Sequence, residues 1–130
     1  MGAYFQGKKV AGDLVGDWVD VQSYLASGFT TDSFVKFRLN KSRKEVQLIG
    51  SLKTTKDIAY SSDAIPIFTK LPFALSGGQY MMQHGSGNAT WLLGVTTGSV
   101  LGMSRYAVGG TNATAQSGVW LTLGGTWAID

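Results

Sequence analysis

The stretch FVKFRLNKSRKEVQLIGSL, Phe34 to Leu52, decides the fold. Val35, Phe37 and Leu39 alternate with Lys36 and Arg38. A period of two puts the apolar side chains on one face of a strand and the cations on the other. Asn40-Lys41-Ser42-Arg43-Lys44 then reads as a polar turn, and Val46, Leu48, Gly50 and Leu52 share a face on the returning strand. The reading is an antiparallel hairpin, dry on one side and wet on the other.

The same grammar extends in both directions. Upstream, Trp18-Val19-Asp20-Val21 opens a strand after the turn-like Gly16-Asp17, and Ala26-Ser27-Gly28 marks a turn. Downstream, residues 53–64 have the composition of an exposed loop between two apolar bursts. The charged residues Lys53, Lys56 and Asp57 of that loop are read as solvated and the loop itself as scaffold. Ile65-Pro66-Ile67-Phe68 is a short strand that stops at Leu71-Pro72. Pro66 cannot donate to a ladder, which confines this strand to an edge. QYMMQH, TWLLGV, SVLGMSRYAV and VWLTLGGTWAID follow, separated by GSGN, TTG and GGTNATAQSG. This makes roughly eight or nine short strands at about ten-residue spacing, the pattern of an antiparallel β-sandwich. The expected fold is all-β and jelly-roll-like, one domain over residues 1–130.

Composition agrees. Gly is 18 of 130 residues and charged residues are 15%, while no run shows sustained helical periodicity. With no Cys and one His, neither a disulfide frame, nor thiolate chemistry, nor a zinc or transition-metal site is expected. No cofactor is implied. The apolar runs are far shorter than the ~20 residues of a membrane helix, and no signal peptide is evident. YFQG within MGAYFQG resembles the end of a protease-tag site, so residues 1–16 are read as a flexible or tag-derived start.

The order of these pieces resembles a known family. GDWVDVQSYLASGF, then FVKFRLNKSRKEVQLIGSLK, then IFTKLPFAL, closing on VWLTLGGTWAID, is similar to the C-terminal modules of tail-fibre and baseplate proteins of siphophages of Gram-positive hosts, the lactococcal receptor-binding proteins among them. There a V-x-L-x-G-x-(L/V)-K strand leads through a Gly/Ser/Thr loop to an I-x-x-LP stop. Here VQLIGSLK and IFTKLP carry the likeness, which covers Asp17 to Asp130. Phe73-Ala74-Leu75 replaces the residues usual after LP, and Lys56-Asp57 replaces loop glycines. The resemblance implies a β-sandwich module on the virion, at the phage tail tip, presented as a homotrimer. It would assemble with other baseplate or tail proteins and adhere to host cell-wall polysaccharide or teichoic acid.

The candidate site residues divide into two sets. Aromatic faces and amides are the usual sugar contacts, which selects Tyr80, His84, Asn88, Trp91 and Tyr106 as saccharide-binding candidates at one end of the sandwich. Trp18, Trp120 and Trp127 are assigned to the core or to a subunit interface. The second set is a basic patch, Lys36, Arg38, Lys41, Arg43 and Lys44, which would attract phosphate-bearing polymers such as teichoic acid. Nucleic acid is not expected, because base stacking needs aromatics interleaved with the cations, and Phe37 faces the core. Catalysis is not expected either. The acids lie in turn-like stretches without a recognisable pair, and Ser86 sits in GSGN rather than a nucleophile elbow. The expected function is non-enzymatic adhesion. The alternatives are a purely architectural baseplate subunit and a glycan-cleaving tailspike-like enzyme.

Overall fold

The computed structural model describes residues 15–130, together with the backbone of two short paired strands, β1 (Tyr4–Phe5) and β2 (Lys8–Lys9). The reading of residues 1–16 as a flexible or tag-derived start lies, up to Leu14, outside the described residues. The hairpin is present as β4 (Phe29–Asn40) and β5 (Glu45–Thr54), with Leu39 opposite Val46, Phe37 opposite Leu48 and Val35 opposite Gly50. The turn is built by Asn40, whose side-chain oxygen accepts from the Ser42 hydroxyl (2.9 Å) and the Arg43 N–H (3.1 Å). Lys44 closes it in a left-handed conformation, φ 52°. The strand β4 starts earlier than the alternation alone indicates. The Ser33 region interrupts the period, and the structure places a register shift there, between Thr31 and Val35.

Two further strands complete the first sheet: β3 (Val19–Asp20) on β4 and β11 (Trp120–Ala128) on β5, in the order β11-β5-β4-β3. The second sheet holds β7 (Tyr80–His84), β8 (Ala89–Val95), β9 (Leu101–Val108) and β10 (Thr111–Asn112), with β6 (Ile65–Pro66) also on β9. All the pairings are antiparallel. The fold is therefore the all-β, two-sheet sandwich that the alternation dictates. Its connectivity differs from the paired Greek keys of a jelly roll, because β7 to β10 follow one another as a meander.

The layers are stitched along both sides. On one side Gly85 bridges Leu121, and the Gln79 side chain pairs with the Ala128 backbone, accepting its N–H (2.7 Å) and donating to its carbonyl (2.9 Å). Gln79 thus supplies the ladder bonds that the outer edge of β11 lacks. On the other side Leu25 bridges Phe68, the Ala26 N–H donates to Ile67 (2.7 Å) and the Thr69 N–H to Tyr24 (2.8 Å). Occupied edges remove the templates for strand addition.

Between the layers lie Val35, Phe37, Leu48, Leu52, Leu121 and Trp127 of the first sheet, against Trp91, Leu93, Leu101, Met103 and Tyr106 of the second. Ile67, Phe68 and Leu75 plug the side. Full burial of one such side chain stabilises by about 1.5–3 kcal/mol. Trp127 is core as expected. Trp18 and Trp120 are not: at 38% and 39% exposure they stand half out of the surface. Trp120 pairs with Lys53 and so inherits that residue's outward parity.

The loop after β5 is scaffold over its first half. Thr54 is buried, its hydroxyl donating to the Gln116 carbonyl (2.7 Å) and accepting the Val119 N–H (3.1 Å). The Asp57 carboxylate accepts the Ser117 N–H (2.8 Å), and Ile58 and Ala115 exchange backbone bonds. Replacing Thr54 by Val keeps the shape and removes both hydroxyl bonds. The expected cost is about 1–3 kcal/mol, read as a lower denaturant midpoint, whereas a surface threonine would show no change.

Candidate functional site

Period two on β7, β8 and β9 sends a second set of side chains outward, away from the core. In register across the three strands these are Tyr80, Gly94 and Gly102, then Met82, Leu92 and Ser104. Tyr80 and Met82 are 60% and 62% exposed, an unusual amount of apolar surface for two neighbours in one strand. Gly94 is the seat of the Tyr80 ring: a β-carbon there would overlap the ring's Cδ1. Gly102 does the same on the adjacent strand, where a β-carbon would come within 2.7 Å of Thr96 Cγ2 and 2.9 Å of the Ile65 carbonyl. Two glycines in register lower the floor, and the flanking segments close in over it.

The result is a groove of about 1130 Å³ on the outer face of the second sheet. Leu92 and Ser104 form its floor and Tyr80 one flank, with Ser62, Asp63 and Pro66 opposite. Thr96, Thr97 and Arg105 add polar groups. The far half of the 53–64 loop therefore meets solvent at this groove, while its near half is pinned scaffold.

Arg105 has a positive φ of 54°, costly for a residue with a β-carbon at roughly 1–2 kcal/mol. It sits where the β8–β9 register shifts, between Thr90 and Leu92. The extra residue of a bulge re-aims side chains. Here Arg105 is exposed and lines the groove, while Tyr106 turns inward. The Arg105 N–H donates to the Ser61 carbonyl (2.8 Å), which ties this bulge to the segment carrying Asp63.

The five saccharide-binding candidates do not converge. Tyr80 lines the groove. His84 shares the outer parity of Tyr80 but lies beyond the groove's lining, and its carbonyl accepts from Trp91 Nε1 (2.8 Å) and the Thr122 hydroxyl (2.9 Å). Asn88 is exposed in the β7–β8 turn. Trp91 and Tyr106 are corrections: at 0% and 4% exposure both are core residues and present no ring to a ligand. Trp91 falls on the inward parity of β8, with Ala89 and Leu93. Burial also raises the Tyr106 phenol above its ordinary pKa. Sequence reasoning misses Arg105, Asp63, Ser104 and Thr96. One signal is present: simple alternation from Leu101 and Met103 drives Arg105 into the core, a conflict that a bulge resolves.

The basic candidates occupy the opposite side of the molecule. Lys36 and Arg38 lie on the outer face of the first sheet, with Lys41, Arg43 and Lys44 in its exposed hairpin turn. The Arg38 guanidinium stacks 4.6 Å over Trp18, held by its bond to Gln47 (2.6 Å), and the Lys36 ammonium sits 5.4 Å from the Phe34 ring. Lys53, beside Trp120, is 3.8 Å from Asp32 in an exposed pair worth little. Trp18 and Trp120, assigned from the sequence to the core or to a subunit interface, thus stand with Phe34 among the cations of this face.

Among the described residues there is no cluster of three or more metal-ligating side chains, and no helix is long and apolar enough to cross a membrane. Comparison of the chain with family models, with curated proteins and with solved structures finds no match.

Proposed function

We propose that this chain is a non-enzymatic adhesion module that holds host cell-wall saccharide in the groove of the second sheet. The observation that carries the reading is Tyr80. Its ring is seated on Gly94, largely exposed, at the edge of a trough lined by hydroxyls, a carboxylate and a guanidinium. A flat ring offers a platform for the C–H face of a pyranose, and the polar groups match its hydroxyls. Among the described residues Asp63 is the one carboxylate of the lining. Hydrolysis by the usual paired carboxylates needs a second acid a few ångströms away, so the lining favours binding over cleavage. The placement on a phage tail tip, as a homotrimer among other baseplate proteins, is supported by the likeness of VQLIGSLK and IFTKLP to siphophage modules. A light-scattering mass of one chain would remove the trimer.

Calorimetric titration of the purified protein with oligosaccharides from Gram-positive cell walls tests the groove. Tyr80→Ala is expected to weaken binding about tenfold, equivalent to ~1.4 kcal/mol, with the unfolding temperature nearly unchanged. Gly94→Ala, which displaces the ring, shifts affinity in the same direction. Unaltered binding by both variants would exclude the groove.

The ring-and-cation face of the first sheet favours a second contact, with an anionic polymer such as teichoic acid. Such binding would weaken steeply with salt, unlike binding in the groove.

A further inference from the structure

We infer that Asp63 and Arg105 act together as a hydroxyl-reading pair, and that the sugar unit they take is neutral and carries adjacent free hydroxyls. This rests on the groove reading above and adds the class of ligand to it. Both residues are exposed and line the same groove. The β6–β9 register, Ile65 opposite Met103, continues toward Asp63 and Arg105, and the bond from the Arg105 N–H to Ser61 fixes the two segments together. Opposite charges on facing segments ordinarily collapse into an ion pair. Here neither group has a salt bridge among the described residues, where the pair formed is Lys53 with Asp32. A carboxylate left open accepts from two neighbouring hydroxyls, and a guanidinium donates in a fixed fork to a hydroxyl or ring oxygen. Together they carry no net charge. Because the two groups face one another across the β6–β9 register, an acidic unit drawn to the Arg105 guanidinium is also brought against the Asp63 carboxylate, and an amino sugar drawn to Asp63 is brought against Arg105, whereas a neutral unit bonds to both.

The backbone supplies an independent reason. Arg105 holds a left-handed conformation that glycine would adopt at no steric cost. Strain retained at an exposed residue that contributes no core packing points to a use for its side chain. Spacing then sets the ligand's length. Tyr80 is in register with Gly102, and Arg105 lies three residues further along β9. At about 3.3 Å per residue along β9 and about 4.8 Å for each of the two strand steps from β7 to β9, the backbones of Tyr80 and Arg105 are roughly 14 Å apart, so the unit stacked on Tyr80 and the unit read by the pair belong to one oligosaccharide rather than to a single sugar.

The test is calorimetry of the purified chain with neutral disaccharides and trisaccharides (cellobiose, lactose, maltotriose) and their uronate- and glucosamine-containing analogues. The expected result is a neutral ligand preferred over both charged analogues, with an affinity that changes less than about twofold between low and high salt. Asp63→Asn and Arg105→Lys each lower affinity about tenfold, and Asp63→Asn relaxes the rejection of the uronate. Arg105→Gly lowers affinity while raising the unfolding temperature by a few degrees, about 2–6 °C, because the strain is gone. Wild-type affinity in the Asp63 and Arg105 variants, with binding weakened about tenfold in Tyr80→Ala, would overturn the pair and leave the groove standing. Preference for a charged analogue would overturn it as well. Binding by none of the panel, with cell-wall oligosaccharides still bound through Tyr80, would overturn the pair alone, whereas cell-wall binding that is absent or insensitive to Tyr80 would overturn the groove reading and the pair with it.

Discussion

Trp91→Ala is expected to lower the stability of the domain by about 3–5 kcal/mol, the range for truncating a large buried ring. The indole is 0% exposed and lies at the centre of the layer between the sheets. Its Nε1–H donates to the His84 carbonyl (2.8 Å), so the substitution opens a cavity and removes one of the two side-chain bonds that this carbonyl accepts, leaving the one from Thr122. For a domain of this size the unfolding midpoint should fall by roughly 10–20 °C. Thermal melts followed by near-ultraviolet circular dichroism would show it. A variant that kept its midpoint and lost only saccharide affinity would instead put the ring at the surface.

The second large effect is expected at Gly50. Its φ of +144° is one that side-chain-bearing residues rarely adopt, and a β-carbon there would overlap the Phe34 carbonyl oxygen and lie 2.6 Å from Val35 Cα. Both obstacles are backbone, so no rotamer change relieves them. Gly50 faces the point where β4 resumes register after its shift, and the missing side chain is what lets the two strands close. Gly50→Ala combines overpacking, about 1–3 kcal/mol, with the cost of a side-chain-bearing residue in a sparsely populated backbone region, about 1–3 kcal/mol. A loss of about 3 kcal/mol in urea unfolding is expected. An unchanged urea midpoint would mean that β4 and β5 do not approach this closely. The glycine of the V-x-L-x-G pattern is thus structural.

Sequence alternation is enough for the hairpin, because every second residue from Val35 to Leu39 and from Val46 to Leu52 is apolar or glycine. Side-chain period and burial then coincide. The two-layer architecture follows from the recurrence of such runs. Alternation fails where the backbone breaks its own period. The shift between Thr90 and Leu92 exchanges the expected orientations of Arg105 and Tyr106, and no residue type in SRYAV marks the bulge on its own. Trp91 is misplaced for another reason. Proximity to a Gly-rich turn suggests exposure, whereas the inward parity of Ala89 and Leu93 assigns the ring to the core. The groove is legible only as Tyr80. Its opposite flank comes from residues 62–66, distant in sequence and brought there by the pairing of β6 with β9. Trp18 stacks on Arg38 through the pairing of β3 with β4, again a contact between segments far apart in the chain.

Amide chemical-shift mapping during titration with a cell-wall oligosaccharide tests the central claim most directly. The account predicts that the perturbed amides cluster at Gly94, Thr96, Thr97, Ser104 and Arg105, with little change at Lys36, Arg38, Ile49 and Lys53. Perturbations confined to that second group, on the opposite sheet, would contradict it.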